Sequence, residues 1–220
     1  MFDHHLSWTF WHLLTRLGES GIVLPVAIVV AVWLAVSSHQ PRSAWFWLVP
    51  LGAAAALTTV TKLAFLGWGI GSATFNFTGI SGHSMFSAAI YPVLARALLG
   101  KTPRPWPTVG VIAGYALAVL IGVSRIQVHA HSWSEVIAGF MTGGLASACA
   151  LALMSESPPR LSSRWLWATL AGWLVVMPLK ASPSVTHDIV TRVAIRLADR
   201  EQPYTRADLF RQSRDTAAGG

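Results

Sequence analysis

The residues of this chain that are most able to do chemistry form two short groups, each beside a long apolar run. The candidate site residues are Ser81, Gly82 and His83 in the first group, Arg125, His131 and Glu135 in the second, and Lys62 upstream of both. Histidine can act as nucleophile or general acid, a carboxylate can orient a histidine, and cationic side chains hold phosphate oxygens. The two groups therefore predict a phosphate-transfer site at the depth where a bilayer meets water.

Both groups also fit a structural role, because each begins an apolar helix. Ser81 stands at an N-cap position, and residues 132–135 (Ser-Trp-Ser-Glu) match the capping box S-x-x-E. Capping is compatible with chemistry, since a helix start exposes free N–H groups and a positive dipole that favour phosphate. Gly82 allows a close approach to the backbone, and Glu135 follows His131 by four residues, within reach of its imidazole.

The composition is that of a membrane protein. The 220 residues are 53% hydrophobic and only 11% charged, whereas soluble domains carry about 25% charged residues. The formal charge of +7 lies mainly in loops and in the tail, which indicates membrane topology or anionic lipid contact rather than nucleic-acid binding. The lone Cys149 excludes an intrachain disulfide, and we expect no signal peptide at the N-terminus.

Six apolar stretches are predicted to cross the membrane, since a transmembrane helix needs about 20 mostly apolar residues. They are residues 21–36, 44–67, 81–99, 108–123, 133–154 and 165–179. Before them, residues 6–17 place apolar side chains on one helical face, which predicts an interfacial helix or an extension of the first span. The predicted fold class is all-α, a polytopic membrane bundle of about six transmembrane helices with an N-terminal interfacial helix.

The chain is expected to divide into a membrane domain, residues 1–180, and a basic amphipathic tail, residues 181–220. Within the tail, apolar residues recur at helical spacing over 185–200 beside three arginines. This pattern predicts a basic helix on the membrane surface, or a solvated helix followed by a disordered end at 205–220.

The links between the spans form two alternating groups, one of which is basic. The basic group holds Arg42, Lys101, Arg104, Arg160 and Arg164. Short cytoplasmic loops are enriched in lysine and arginine, so this group should face the cytoplasm, although the basic tail would then lie outside. We therefore expect a bacterial inner-membrane protein whose candidate site faces the periplasm.

The two groups resemble motifs of the type 2 phosphatidic acid phosphatase (PAP2) superfamily of membrane phosphatases. Its motif Pro-Ser-Gly-His is matched at 80–83 with Ile for Pro. Its motif Ser-Arg, five residues, His, three residues, Asp is matched at 124–135 with Glu for Asp. Its first motif, Lys followed after six residues by Arg-Pro, is matched only at Lys62, because Gly69 and Ile70 replace Arg-Pro. The resemblance covers roughly residues 61–139.

This resemblance implies a phosphatase that works in two steps without metal or other cofactor. His131 would attack phosphorus to form a phosphohistidine, Glu135 would orient it, and His83 would protonate the leaving oxygen and then activate water. The phosphate oxygens would be held by Lys62, Ser81, Gly82 and Arg125. The expected partners are membrane lipids and a lipid phosphate substrate: an isoprenoid pyrophosphate, a phosphatidyl phosphate or a lipid A phosphate.

Three alternatives stay open at this point. A lipid phosphotransferase would pass the phosphoryl group to another lipid. A non-catalytic transporter or scaffold would keep the fold, as the departures at Gly69 and Glu135 suggest. A zinc protein would use His83, His129, His131 and Glu135 as ligands. The loop 67–79, rich in glycine and aromatic residues, fits either a lid or an interfacial aromatic belt.

Overall fold

The computed structural model describes residues 2–37, 42–154, 164–180 and 185–218. Within these ranges the chain forms the helices α1 (Phe2–Arg16), α2 (Ser20–Ser37), α3 (Ser43–Trp68), α4 (Gly82–Leu99), α5 (Trp106–Gln127), α6 (Trp133–Leu153), α7 (Arg164–Lys180), α8 (Val185–Leu197) and α9 (Arg206–Ala218). The described residues contain no β-strand, only an isolated bridge between Ser72 and Phe77. The predicted all-α class is confirmed. The predicted link around Arg160 lies outside the described residues.

Several helical segments are long and apolar enough to cross a bilayer. In the described part of the chain these are Trp8–Ser37, Ser43–Trp68, Trp106–Gln127 and Trp133–Leu153. The other two predicted spans are also helical: α4 has 18 residues, and α7 contains the shorter apolar stretch Leu166–Met177. The chain is thus an integral membrane helix bundle, whereas the count of six spans stays a prediction.

Helix α4 is the central helix of the bundle. It packs against α2, α3, α5 and α6, and side chains along its length, such as Met85, Ile90 and Val93, are fully buried. A helix that is apolar on all faces belongs in such a position. The consequence for the site is that the start of α4, which carries His83, is held by neighbouring helices on several sides.

Close contact between α6 and α4 depends on glycine. A Cβ on Gly139 would lie 2.5 Å from the carbonyl oxygen of Ser81, and one on Gly143 would lie 2.0 Å from that of Met85. Small residues let membrane helices approach this closely. The Ser81 N–H also donates to the backbone carbonyl of Glu135 at 3.1 Å. The starts of α4 and α6, and with them the two candidate groups, are therefore fixed against each other.

The tail differs from its sequence-based expectation. The helix expected over 185–200 is present as α8, and Arg206–Ala218 forms α9, where a disordered end was one of the two alternatives. Helix α8 packs against α3, and the Tyr204 N–H donates to the Leu66 carbonyl at 2.9 Å. Ala194 and Leu209 are buried. Because these contacts bury apolar side chains, the described tail lies against the membrane helices and contributes to the same structural unit.

Candidate active site

His131 and Glu135 form a direct contact where α6 begins. His131 lies in the turn between α5 and α6, and its Nδ1 is 2.7 Å from Oε2 of Glu135, as the four-residue spacing predicts. An ionised carboxylate only accepts hydrogen bonds, so Nδ1 carries the proton in this contact. The other ring nitrogen, Nε2, is then the basic nitrogen of the imidazole.

The predicted capping box is also present. The Glu135 N–H donates to Oγ of Ser132, and the Ser132 N–H donates to Oε2 of Glu135 at 3.1 Å. The same carboxylate oxygen therefore closes the helix cap and contacts His131. The capping box holds the Glu135 carboxylate at the start of α6, and in that position the carboxylate also reaches His131.

Two partners of Glu135 were missed by sequence reasoning. The Glu135 side chain is fully buried, and its Oε1 accepts hydrogen bonds from Thr78 N–H at 2.7 Å and Thr78 Oγ1 at 2.6 Å. Nη2 of Arg206 donates to Oε1 at 2.8 Å and to Oε2 at 2.9 Å. A buried charge requires such partners. Thr78 lies in the loop before α4, and Arg206 is the first residue of α9.

A local signal for the start of α9 does exist in the sequence. Residues 205–208 match the pattern T-x-x-D, and the Asp208 carboxylate accepts from Thr205 N–H at 3.0 Å and Thr205 Oγ1 at 2.6 Å. These bonds lower the pKa of Asp208 below its usual value. The pattern could have predicted a helix that begins at Arg206, but nothing local indicates that this helix lies beside α6.

One cavity of about 450 Å³ brings most of the predicted residues together. Its walls come from α3, α4, α5, α8 and the start of α2, together with Arg206. The predicted site residues that line it are Lys62, Gly82, His83, Arg125 and His131. Residues from separate parts of the sequence thus share one cavity, and Glu135 lies behind His131.

Ser81 is placed differently from the other predicted phosphate-binding residues. It is the N-cap residue of α4 as expected, but its side chain is fully buried and is absent from the cavity lining. Its hydroxyl accepts a hydrogen bond from Oγ of Ser84 at 3.1 Å. It is the backbone N–H of Ser81 that joins the starts of α4 and α6, and the contact of Ser81 with phosphate stays a prediction.

The ammonium of Lys62 lies beside the first turn of α4, where a phosphate is predicted to bind. The Lys62 Nζ is 3.7 Å from the position that a Cβ on Gly82 would take, so glycine leaves the space in front of the ammonium open. The first backbone N–H with an intrahelical partner is that of Met85, which donates to Ser81 at 3.0 Å. The amides of Gly82, His83 and Ser84 precede this first bond and lie at the positive end of the helix dipole, a location that favours phosphate.

Two polar atoms in the cavity wall lack partners. Oγ1 of Thr58 and Nε of Arg125 are buried without a hydrogen bond to any described residue. Leaving a buried donor unpaired costs about 1–3 kcal/mol, and phosphate oxygens are suitable acceptors for both. The Arg125 side chain is held by Nη1, which donates to Oγ1 of Thr15 at 2.8 Å. Helix α1 therefore positions a predicted phosphate ligand, a contact that the sequence did not indicate.

The surroundings of His131 favour its neutral form. Burial lowers the pKa of His131 below its usual value, and the cations Lys62 and Arg125 act in the same direction. The hydrogen bond and the charge of Glu135 oppose this shift but do not reverse it. A neutral imidazole is the form that can attack an electrophile.

Gly69, which stands where the resemblance calls for arginine, lies beside Tyr204 of the tail. It ends α3 in the left-handed conformation, with φ of 70°. A Cβ there would lie 3.0 Å from the ring of Tyr204. Side chains rarely adopt this backbone conformation, so an arginine at this position would be strained, and the tail ring fills the adjacent space.

The loop before α4 is tied to the tail and exposes apolar side chains. Nη1 of Arg206 donates to the Asn76 carbonyl at 2.8 Å, while Trp68, Ile70 and Phe75 are each more than half exposed. A second cavity, about 480 Å³, is also lined by Arg206 and includes His129. Among the residues that the structure describes, no three His, Cys, Asp or Glu side chains gather as a metal site requires.

Residues 48–159 match the family model of the PAP2 superfamily. The chain is 35% identical over 207 residues to an uncharacterized 22.5 kDa protein in the cps region of Klebsiella pneumoniae, covering 92% of this chain and 99% of that protein. It is 31% identical over 145 residues to phosphatidylglycerophosphatase B of Bacillus subtilis (strain 168), covering 59% of this chain and 66% of that protein.

A solved structure gives the same comparison at the level of the fold. The crystal structure of the transmembrane PAP2 type phosphatidylglycerolphosphate phosphatase from Bacillus subtilis superimposes with a TM-score of 0.53 and 25% identity. The match covers 67% of this chain and 76% of that one.

Proposed function

This chain belongs to the PAP2 superfamily, and we propose that it is a membrane phosphatase that removes a phosphate group from a lipid. The substrate would be a phosphate monoester or a pyrophosphate on an isoprenoid, a phosphatidyl group or lipid A. The observation that carries this proposal is the His131–Glu135 pair, which lies beside one cavity lined by Lys62, His83 and Arg125.

In the first step, Nε2 of His131 attacks phosphorus, so that a P–N bond forms and the P–O bond to the lipid breaks. His83 lines the same cavity and gives a proton to the leaving oxygen, as a general acid does. Glu135 accepts the Nδ1 hydrogen bond and stabilises the positive charge that the imidazole acquires. The lipid leaves as an alcohol, or as a monophosphate when the substrate is a pyrophosphate.

In the second step, water hydrolyses the phosphohistidine. His83 takes a proton from the water as its oxygen attacks phosphorus, the P–N bond breaks, and inorganic phosphate leaves. In both steps the charge on the equatorial oxygens would be neutralised by Lys62, Arg125 and the first amides of α4. The scheme returns His131 and His83 to their starting protonation states.

The cavity wall supports a substrate that is polar at one end and apolar elsewhere. Beside the cations, apolar side chains line it from several helices: Ala55, Phe65, Leu66, Met85, Phe86 and Val190. The name of one relative, phosphatidylglycerophosphatase B, also describes a lipid phosphate as substrate. Both observations favour a lipid phosphate over a soluble phosphate ester.

We also propose that the site faces the outside of a bacterial inner membrane. Helix α3 runs toward the site and α4 runs away from it, so Arg42 and Lys101 lie at the end of the bundle opposite His83. Basic loops favour the cytoplasmic side, which supports a periplasmic site.

The proposal is tested by phosphate release from detergent micelles that each contain one lipid phosphate: phosphatidic acid, phosphatidylglycerophosphate, an isoprenoid pyrophosphate or lipid A. Wild type is compared with His131→Asn and with the matched control His129→Asn. His129 has φ of 55°, a backbone conformation that asparagine tolerates better than most residues. Wild type and the control should release phosphate from at least one lipid, with a rate that a chelator leaves unchanged.

The result that would refute catalysis is phosphate release by wild type no greater than that by His131→Asn on every lipid. That outcome would favour the transporter or scaffold alternative. A transferase is distinguished by adding an acceptor lipid with labelled substrate, because the label would then appear on the acceptor instead of in free phosphate.

A further inference from the structure

Arg206 reaches the buried carboxylate of Glu135 from the tail, and three partners hold its guanidinium. Nη2 contacts both oxygens of Glu135, at 2.8 and 2.9 Å, and Oγ1 of Thr78 at 3.2 Å. Nη1 contacts the backbone carbonyl and the side-chain oxygen of Asn76. About a third of the Arg206 side chain is exposed (34%). Both terminal nitrogens of its guanidinium are nevertheless hydrogen-bonded to protein, which distinguishes it from a fully solvated surface arginine.

Glu135 has a specific need for such a partner. Its Oε1 is bound by Thr78, and its Oε2 is bound by Ser132 and by Nδ1 of His131. Arg206 contacts both oxygens through one nitrogen, so it opposes rotation of the carboxylate and compensates its charge. Charge-assisted bonds of this kind are stronger and shorter than neutral ones. The arrangement keeps Oε2 ionised and directed at His131.

The backbone on both sides of Arg206 is fixed by independent contacts. Two residues before it, the Tyr204 N–H donates to the Leu66 carbonyl. Immediately before it, Thr205 caps the start of α9 through hydrogen bonds to Asp208. The backbone of Arg206 is therefore already ordered, so binding of its guanidinium to the carboxylate requires only the side chain to be ordered.

From these contacts we propose that Arg206 is a positioning residue, which holds Glu135 so that its carboxylate orients His131 for attack. This inference rests on the proposed function, because orientation matters only if His131 is the nucleophile. It assigns to the C-terminal helix a part in the reaction that neither the two candidate groups nor the family comparison contains.

The charge of Arg206 also affects protonation of His131. Among the described residues that line a cavity with His131 or contact it, the charged or titratable ones are Lys62 from α3, His83 from α4, Arg125 from α5, His129 from the turn before α6, Glu135 from α6, His187 from α8 and Arg206 from α9. Removing the Arg206 cation takes away a charge that repels the protonated form of His131. It also leaves the negative charge of Glu135 less neutralised, so that Glu135 attracts this protonated form more strongly. Both changes favour the imidazolium, so the pKa of His131 should rise.

The test uses the full chain in detergent with Arg206→Met, Arg206→Lys and the matched control Arg211→Met. Arg211 lies on the same helix, and its side chain is 70% exposed. In Arg206→Met, kcat should fall about 10- to 100-fold, as expected for a misplaced catalytic group, while KM changes little and the acid limb of the pH profile moves to higher pH. Arg206→Lys should recover part of kcat and the wild-type pH profile, and Arg211→Met should match wild type.

The pKa of His131, followed by NMR of labelled histidine, supplies a readout that does not need turnover. It should rise in Arg206→Met and stay unchanged in Arg211→Met. An unchanged pKa in a folded Arg206→Met protein overturns the inference, as does wild-type kcat with a wild-type pH profile. If wild type releases no phosphate while the pKa still rises, the proposed function fails and the contact between Arg206 and the His131–Glu135 pair stands.

Discussion

The substitution Glu135→Gln should remove most of the activity, because every group that contacts the Glu135 carboxylate is a hydrogen-bond donor and needs an acceptor. Glutamine keeps the shape of the side chain but replaces one carboxylate oxygen with an NH₂ group. In the native structure every group facing these oxygens is a donor. The donors come from Thr78, His131, Ser132 and Arg206.

Both orientations of the new amide are unfavourable. If the nitrogen replaces Oε1, it faces the Thr78 N–H, whose nitrogen is 2.7 Å from Oε1 in the native structure. If the nitrogen replaces Oε2, it donates to Nδ1 of His131, and the ring proton must then move to Nε2. Nε2 is the atom that has to attack phosphorus, so this tautomer is inactive.

The size of the effect follows from burial. Removing one partner of a buried ion pair costs about 3–5 kcal/mol, and Glu135 is fully buried while the Arg206 side chain is 34% exposed and can be rehydrated. We therefore expect the free energy of unfolding to fall by about 2–4 kcal/mol. Loss of the anion that stabilises the imidazolium should raise the barrier by about 3–5 kcal/mol, which is about 10²- to 10⁴-fold in kcat.

The measurements are phosphate release and thermal unfolding in the same detergent. Glu135→Asp keeps the charge but withdraws it from His131 by one methylene, so its kcat should lie between those of wild type and Glu135→Gln. Asp215→Asn, at an exposed position of α9, is the matched carboxylate-to-amide control and should match wild type. If folded Glu135→Gln keeps more than about a tenth of the wild-type kcat, an effect under 1.4 kcal/mol, the assigned role of Glu135 is wrong.

Two other predictions concern packing and protonation. Gly143→Ala should lower the free energy of unfolding by about 1–3 kcal/mol, because its Cβ would lie 2.0 Å from a carbonyl oxygen of α4. Gly144→Ala, with nothing within 4 Å of the new Cβ, should be neutral or slightly stabilising, and equal Tm values for the two variants would contradict this account. The pKa of His131 should lie below the ordinary histidine value of about 6.5, because the effect of burial outweighs that of the Glu135 contact. The neutral imidazole should therefore persist into mildly acidic solution. A value above about 6.5 from histidine NMR would refute this.

Much of the fold could be predicted from the sequence because its signals are local. The first predicted span, 21–36, corresponds to Ser20–Ser37, and the fifth, 133–154, to Trp133–Leu153. Apolar run length determines the body of such a helix and capping residues determine its start. The Glu135–His131 contact was predictable for the same reason, because both residues belong to one turn.

The tail was predicted less well, since its helices depend on contacts with distant residues. Helix α9 is polar, and composition alone suggested disorder, although residues 205–208 carry a capping pattern. The position of α9 depends on the bond between Tyr204 and Leu66 and on the burial of Leu209. No pattern within the tail contains that information.

The sequence by itself determined which residues have the chemistry and which helix ends carry them. Only the tertiary structure decided that Lys62, His83 and Arg125 share one cavity with His131 and that the Ser81 hydroxyl does not line it. It also brought Arg206 to Glu135. The physical reason is the distance along the chain over which each signal acts. Periodicity and capping depend on residues within a few positions of each other. The meeting of distant side chains in one site requires helices to pack closely, as Gly139 and Gly143 of α6 permit against α4.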